Sequence, residues 1–276
     1  MLRYDLHCHS TRSDGLLAPR EVVERAASRG VDVLALTDHD DVSGIAEACE
    51  AAMRVSVKLV PAAEISVTWE DQTIHVVALG IDPDNATLLA GLEQVRSGRD
   101  ARAQRIAAAL AQAGIPDALA GARKYVTSER LISRSHFARY LVELGVARDV
   151  RDVFKRYLTP GKPGYVRHAW AEMGDALEWI RVSGGQAVLA HPGRYNVAGT
   201  ALRRLIGEFR DAGGSGIEVL SASHTAAQVA EFGTLARVFG LRASCGSDYH
   251  GPGESRLDLG DLPPLPAGLT PIWTDW

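Results

Sequence analysis

Cysteines are scarce in this chain and do not form a pattern typical of disulfide frameworks or zinc ribbons. Only three occur among 276 residues, Cys8, Cys49 and Cys245, and no two of them make a CxxC pair. Small secreted domains stapled by disulfides carry a denser and even-numbered set. The sequence therefore favours a reducing compartment, and we expect a cytoplasmic protein.

Long apolar runs and an excess of positive charge are absent as well. No segment approaches the roughly 18 consecutive apolar residues of a membrane span, and MLRYDLHCHS contains no apolar signal core. The formal net charge of -4 argues against a protein that coats DNA through bulk positive charge. We therefore expect no membrane partner. Any anionic ligand would have to bind in a local pocket of basic side chains.

Alternating strand-like and helix-like segments fill most of the sequence, which is 46% hydrophobic and can bury a large core. This alternation is typical of βαβ units with a parallel sheet. Only the short turn WEDQ separates the third and fourth strands, so we expect that pair to be a hairpin and the others to close a barrel. The seven predicted strands are 3–6, 32–36, 58–65, 73–79, 186–190, 216–220 and 242–245.

The strand signal disappears between about residues 85 and 166, where the pattern is helical throughout. This stretch is too long for one crossover connection, and we expect a helical insertion that caps one end of the barrel. The sequence therefore predicts a single domain, 1–276, with an insertion at about 85–166. The proline-rich tail 262–276 has no regular pattern.

Histidines and carboxylates stand at the ends of the predicted strands. In YDLHCHSTRSDG, His7 and His9 are two positions apart, so both side chains leave the strand on the same face. Parallel strands place their carboxyl ends at one rim, where barrel enzymes build their sites. We therefore expect nine residues to converge: His7, His9, Asp14, His39, Glu64, His75, His191, Asp248 and His250.

Each histidine taken alone is more often a hydrogen-bonded core or surface residue than a metal ligand. The joint pattern at successive strand ends favours ligands, because core packing would place apolar residues there. We assign His168, His224 and Cys8 no site role, and we expect Cys8 to point into the core. Three further carboxylates have two open interpretations, partners that orient His39 or simple turn residues: Asp38, Asp40 and Asp41.

Nitrogen and oxygen ligands without thiolates suit Mn²⁺, Fe²⁺ or Zn²⁺ better than Mg²⁺ or Ca²⁺. Nine ligands exceed the shell of one ion and fit two or three ions that share a bridging carboxylate. Such clusters generate hydroxide at neutral pH and hold a phosphoryl group during displacement. The sequence thus predicts a site for two or three Mn²⁺, Fe²⁺ or Zn²⁺ ions that could act on a phosphoryl group.

These motifs, HxH, TDHD, an isolated glutamate, AHP and SDxH, occur in an order that resembles the PHP (polymerase and histidinol phosphatase) family. The resemblance implies a distorted (β/α)7 barrel, class α/β, with a trinuclear metal centre and Glu64 as bridging ligand. It implies three ligand sets: His7, His9, Glu64 and Asp248; Asp14, His39 and His250; Glu64, His75 and His191. It also implies attack by a metal-bound hydroxide, with Asp248 or a rim histidine such as His191 as the catalytic proton carrier.

The helical insertion and its segment ISRSHFARYL resemble a stand-alone branch of the family that dephosphorylates 3',5'-bisphosphonucleotides and trims short RNA from its 5' end. Ser133 or Ser135 could cap a helix there, so that Arg134 and His136 form an anion site at its N-terminus. The alternative is an ordinary helix in which Arg134 is an exposed residue and His136 is a buried one. Both interpretations of this segment stay open. Arg194 is the other expected substrate-binding residue, and Lys162 is a weaker one.

We therefore expect a phosphatase acting on phosphorylated nucleotides. One alternative is a histidinol-phosphate-type phosphatase. The other is a PHP module whose metal has a structural role only, although the full ligand set and the absence of an attached polymerase count against it.

Overall fold

A computed structural model describes residues 2–127 and 131–276. Its strands form one eight-stranded sheet with the order β1-β2-β3-β4-β6-β7-β8, and β5 pairs separately with β3. All seven predicted strands are present, and the two-residue β5 is an addition that the sequence did not predict. The strands are β1 (Tyr4–Cys8), β2 (Val33–Leu36), β3 (Lys58–Trp69), β4 (Gln72–Leu79), β5 (Ala171–Glu172), β6 (Gln186–Leu189), β7 (Gly216–Ser221) and β8 (Arg242–Gly246).

Ten α-helices are present among the described residues, together with a π-helical turn, Phe154–Leu158, and a 3-10 turn, Pro192–Arg194. The helices are α1 (Pro19–Ser28), α2 (Ile45–Ala52), α3 (Ala86–Ser97), α4 (Arg99–Gln112), α5 (Ala118–Arg123), α6 (Arg134–Glu143), α7 (Val150–Val153), α8 (Met173–Val182), α9 (Gly199–Asp211) and α10 (Ala226–Phe239).

The sheet closes into the expected distorted barrel. β3 and β4 form the predicted antiparallel hairpin, and β4 also runs antiparallel to β6, whereas the remaining pairs are parallel. The last strand returns to the first: the His9 amide donates to the Tyr249 carbonyl at 2.8 Å, and the Asp248 amide donates to the His7 carbonyl at 2.8 Å. The ends of β1 and β8 therefore lie side by side.

Strand periodicity explains why polar residues appear in an otherwise apolar barrel. Val60 and Ala62 pack in one apolar cluster with Val77 of the neighbouring strand. Because alternate residues share a face of a strand, Glu64 continues the row of Val60 and Ala62, and His75 continues the row of Val77. The same face is thus apolar at one end and carries ligand-type side chains at the other.

Helices α4 to α7 have an apolar cluster of their own. Ile106 and Leu110 of α4 pack against Phe137 and Leu141 of α6. The preceding helix α3 differs, because Leu88 and its neighbours on that helix belong to the large barrel cluster. Among the described residues, no helix is long and apolar enough to cross a membrane.

Candidate metal centre

β1 delivers two histidines to one side of the sheet. His7 lies in the strand and His9 follows it; both are fully buried, and their ring centroids are 5.2 Å apart. Cys8 points the other way and packs with Val22 and Leu34 behind the strand. The prediction that Cys8 is a core residue is confirmed.

Glu64 lies at the centre of the histidines and is itself fully buried. Its two carboxylate oxygens are both in contact with imidazole nitrogens, so a single side chain links the histidines of several strands. Five ring nitrogens lie near these oxygens: His39 Nδ1 and His75 Nδ1 at 2.8 Å, His191 Nε2 at 2.9 Å, His7 Nε2 at 3.3 Å and His9 Nε2 at 3.4 Å.

Asp14 and Asp248 complete the cluster from opposite ends of the sequence. Asp14 Oδ1 lies 3.4 Å from His250 Nε2 and 3.8 Å from His39 Nε2. Asp248 Oδ1 lies 3.3 Å from His9 Nε2. Together with Glu64, these carboxylates supply three negative charges to one buried ring of imidazoles.

All nine residues expected to converge lie together in four overlapping groups, within which ligand atoms are no more than 4.8 Å apart. The groups are His9, Asp14, His39 and His250; His7, His9 and Asp248; His7, Glu64 and His191; and His39, Glu64 and His75. Three of them depart from the ligand sets implied by the resemblance, since His9 also groups with Asp14, His191 groups with His7 and His75 groups with His39.

The donor set fits divalent metal ions. Among the described residues, seven buried polar atoms of this cluster have no hydrogen-bond partner, which is costly for a fold unless another ligand satisfies them. They are His7 Nε2, His9 Nε2, Asp14 Oδ1, His39 Nδ1, Glu64 Oε2, His191 Nδ1 and Asp248 Oδ1. Imidazole and carboxylate atoms directed at one another without hydrogen bonds are what a cluster of Mn²⁺, Fe²⁺ or Zn²⁺ ions requires.

The carboxylates of the cluster and His9 have protonation states that suit metal binding at neutral pH. Burial alone would raise the pKa of Glu64, Asp14 and Asp248, but neighbouring histidines, and Arg194 beside Asp248, lower each pKa well below its usual range. Burial, and then a neighbouring imidazole, lowers the pKa of His9 to about 3. Ionised carboxylates and a neutral imidazole are the protonation states that ligate metals. Burial would lower the pKa of His7, His39 and His250, but nearby carboxylates raise it, so a binding ion would displace protons from these three rings.

Sequence reasoning missed Glu218, a fully buried residue of β7. One of its carboxylate oxygens lies 2.6 Å from His7 Nδ1, and the other accepts a hydrogen bond from the His191 amide at 2.5 Å. The carboxylate thus fixes one imidazole ring and the backbone of a second histidine. A lone glutamate inside the apolar run GIEVLS was the signal that could have identified it.

The aspartates around His39 serve the loops. Asp38 accepts hydrogen bonds from the Ser10 amide at 2.8 Å and from the Ser13 hydroxyl at 2.5 Å, which shapes the loop that carries Asp14. Asp41 accepts from the Ser43 amide at 2.6 Å, a local turn.

Asp40 ties β3 to the insertion. Its carboxylate accepts from the Ser66 amide at 2.6 Å and is paired with the guanidinium of Arg99.

The three expected substrate-binding residues occupy different surroundings. Ser133 caps α6 by accepting a hydrogen bond from the Ser135 amide at 3.1 Å, and the same hydroxyl donates to Asp14 at 2.9 Å. Arg134, the first residue of α6, is half-buried at the edge of the cluster. His136 is buried within the cap, where its Nδ1 accepts from the Ser133 amide at 3.0 Å.

Arg194 reaches the cluster from the 3-10 turn and forms an ion pair with Asp248. Its side chain remains about half exposed, so the guanidinium is accessible from the 400 Å³ pocket that it lines together with Asp248 and His250. Lys162 lies exposed in the loop after the π-helical turn.

Two further arginines, Arg99 and Arg102, were not predicted as site residues. Both belong to α4, both are buried, and their guanidinium carbons lie 4.8 and 4.9 Å from the ring centroid of Trp170. They line a second, smaller cavity of about 50 Å³ whose wall includes His39 and His75. Helix α4 therefore brings cations next to the metal-ligand cluster.

Comparison with known proteins finds one matching family model and several similar chains. The PHP domain model matches residues 5–159. The 3',5'-nucleoside bisphosphate phosphatase of Chromobacterium violaceum is 49% identical to this chain, and the match covers 100% of this chain and 96% of that protein. The 5'-3' exoribonuclease of Haemophilus influenzae is 42% identical over 98% of both chains. A solved structure of an amidohydrolase from Chromobacterium violaceum, with bound sulfate and no metal, superimposes with a TM-score of 0.95 at 49% identity and covers 98% of this chain and 94% of that one.

Proposed function

The chain belongs to the PHP domain family, and we propose that it is a metal-dependent phosphatase that releases phosphate from 3',5'-bisphosphonucleotides. The observation that carries the proposal is the convergence of nine nitrogen and oxygen ligands beside a set of arginines. The cluster suits the scissile phosphate, and the arginines suit a substrate with a second negative group. The likeness to a 3',5'-nucleoside bisphosphate phosphatase supports this substrate class.

We propose Mn²⁺ as the native ion, two or three per chain, with Zn²⁺ or Fe²⁺ as chemically suitable replacements. Ions held by the nine residues would polarise phosphate oxygens and make water acidic enough to react at neutral pH. Glu64 would hold two ions together, because its oxygens face different histidines.

Two residues of the cluster, His191 and Asp248, have backbone φ angles that are unusual for residues other than glycine. The angles are positive, 25° and 53°, in a region that such residues rarely adopt. Such strain is retained where the surrounding structure fixes a side chain for function. We propose that Asp248 or His191 carries the proton, and that Arg194, paired with Asp248, neutralises charge on the phosphate.

The segment 85–166 acts in this proposal as the cap that recognises the substrate. It is tied to the metal-bearing loops by the hydrogen bond from Ser133 to Asp14 and by the Arg139–Glu254 ion pair at 2.7 Å. Arg134 would grip the second phosphate, and His136 would support it through the helix cap. The substrate is a phosphorylated nucleotide.

The 42% identical exoribonuclease favours trimming of short RNA as a second activity of the same site. We also propose a cytoplasmic location, because the three cysteines are free and a reducing compartment keeps thiols in that state.

A phosphate-release screen of Mn²⁺-loaded protein tests the proposal. The substrates are adenosine 3',5'-bisphosphate, adenosine 3'- and 5'-monophosphates, histidinol phosphate and a short 5'-phosphorylated RNA. We expect the largest kcat/KM for the bisphosphate. A preference for histidinol phosphate would contradict the substrate class, and no release from any ester would contradict the enzyme assignment.

A further inference from the structure

Arg102 is a buried arginine for which the described part of the chain provides no acidic partner. The residue is only 6% exposed, and among residues 2–127 and 131–276 no carboxylate lies within ion-pair distance of it. Its one described hydrogen bond, from Nε to the Val166 carbonyl, is 3.5 Å long and thus beyond the normal range. Arg99, one turn earlier on α4, is by contrast paired with Asp40.

Two other arginines, Arg134 and Arg99, lie near Arg102 and make its surroundings more positive. Burial, and then the adjacent Arg134 and Arg99, lower the pKa of Arg102 to about 8. Leaving a desolvated cation beside other cations is unfavourable unless an anion joins them. The stacking on Trp170 holds the guanidinium in position but supplies no negative charge.

The cavity in front of these arginines has the size of an oxyanion. Its volume is about 50 Å³, which at about 10–15 Å³ per water accommodates roughly three to five waters, or one phosphoryl group but no nucleoside. Arg102 and Arg134 line it on the insertion side, and Asp14, His39 and His75 line it on the side of the metal ligands. An anion in this cavity would be a direct neighbour of a phosphate at the cluster.

We propose that Arg102, together with Arg134, forms a subsite for the phosphate that is not cleaved, while the nine-residue cluster holds the scissile phosphate. The inference rests on the proposed function and extends it with a residue that sequence reasoning missed. Two guanidiniums bind a phosphate dianion through paired charge-assisted hydrogen bonds. Arg99, held by Asp40, keeps the third side of the cavity positive and in place.

The test compares Arg102→Met with Arg105→Met. Both changes remove one positive charge from α4, but Arg105 is exposed and does not line the cavity. For Arg102→Met we expect kcat/KM for adenosine 3',5'-bisphosphate to fall at least about 30-fold, the lower end of the usual loss when one partner of a buried charge pair is removed. p-Nitrophenyl phosphate, which lacks a second phosphate, should change by less than about threefold, and Arg105→Met should match the wild type on both.

Binding to chelator-treated protein provides a readout that needs no metal. By calorimetry, Arg102→Met should weaken adenosine 3',5'-bisphosphate about tenfold and leave p-nitrophenyl phosphate unchanged. Thermal unfolding shows whether the variant is folded. If it is not, Arg102→Lys, which keeps the charge but loses the two-pronged grip, should give a smaller loss with the same selectivity.

Equal losses on both substrates would place Arg102 on the scissile phosphate and overturn the subsite. No loss on either substrate would also overturn it, because Arg102 would then bind neither phosphate. If wild-type protein hydrolyses p-nitrophenyl phosphate but not the bisphosphate, the proposed function fails. The calorimetric comparison still decides the subsite in that case.

Discussion

Glu64 differs from the other carboxylates of the cluster because five imidazoles surround its two oxygens. A neutral amide at this position would keep the shape and remove the charge. Asp41 offers a matched comparison, since it is also a buried acidic residue close to the site. Among the described residues, its carboxylate contacts only a turn amide and Arg96.

Glu64→Gln should reduce phosphate release more than about 100-fold and lower the amount of bound metal, because a neutral amide cannot balance the charge of either ion. Residues that only orient a metal ligand typically cost less when they are changed, about 10- to 100-fold. Asp41→Asn should stay within about threefold. Phosphate release and elemental analysis on the same preparations measure both. Similar losses in the two variants would mean that Glu64 is not the bridging ligand.

Glu218→Gln should weaken metal binding about 10- to 100-fold, because His7 loses the carboxylate that orients its ring. An amide can accept from one group but cannot reproduce both contacts of the carboxylate. Titration against a competing chelator gives the affinity. Glu231→Gln, an exposed residue of α10, serves as the control, and an unchanged affinity in Glu218→Gln would reduce Glu218 to a packing residue.

The sequence predicted individual residues well where they follow a strand and poorly where their role depends on distant partners. The nine converging residues were predictable because strand ends meet at one rim of a barrel. Glu218 was missed because its partners, His7 and His191, come from other strands. Arg102 was missed because an arginine in a helix is normally an exposed residue, and only the docking of α4 against Trp170 buries it.

At the level of elements, all seven predicted strands are present, but their ends differ from the prediction and an eighth strand, β5, was not predicted. The third strand was predicted to end at 65, yet β3 continues to Trp69 because the hairpin pairs each of its last residues with β4. β5 has only two residues, and pairing with Val67 and Thr68 creates it. No local pattern marks a strand of that kind.

The closure of β8 onto β1 depends on a glycine. A Cβ on Gly246 would lie 2.1 Å from the His7 Cβ and 2.9 Å from the His7 nitrogen, and backbone cannot move away as a side-chain tip can. For Gly174, at the start of α8, no described atom beyond its chain neighbours and its own helix backbone lies within 4 Å of the same position.

Gly246→Ala should therefore lower the free energy of unfolding by about 1–3 kcal/mol and displace His7, as overpacking does elsewhere. Gly174→Ala should be neutral or stabilising by up to about 1 kcal/mol, because alanine favours a helix. Urea unfolding measures both changes. A Gly246→Ala protein as stable as the wild type would show that the two strands can separate without cost.

For the whole molecule, the number of bound ions is the most direct consequence of the site. Protein expressed in Mn²⁺-rich medium should contain at least two transition-metal equivalents per chain, because one ion would leave several buried polar atoms without partners. Ligand binding to the folded state alone adds about 2.7 kcal/mol at 100 times Kd, so chelation should also lower Tm. Elemental analysis giving one equivalent or fewer would contradict the cluster.

The joining of the first strand to the last sets a time order for biosynthesis. Asp5 accepts a hydrogen bond from the Ser247 amide, 242 positions further along the chain, and His9 bonds to Tyr249. A ribosome must therefore translate Asp248 and His250 before the metal centre can be complete, however early the helices form. Contacts this distant in sequence are also slow to find, so a nascent chain would hold an open barrel whose histidines acquire their last carboxylate only after Asp248 has been translated.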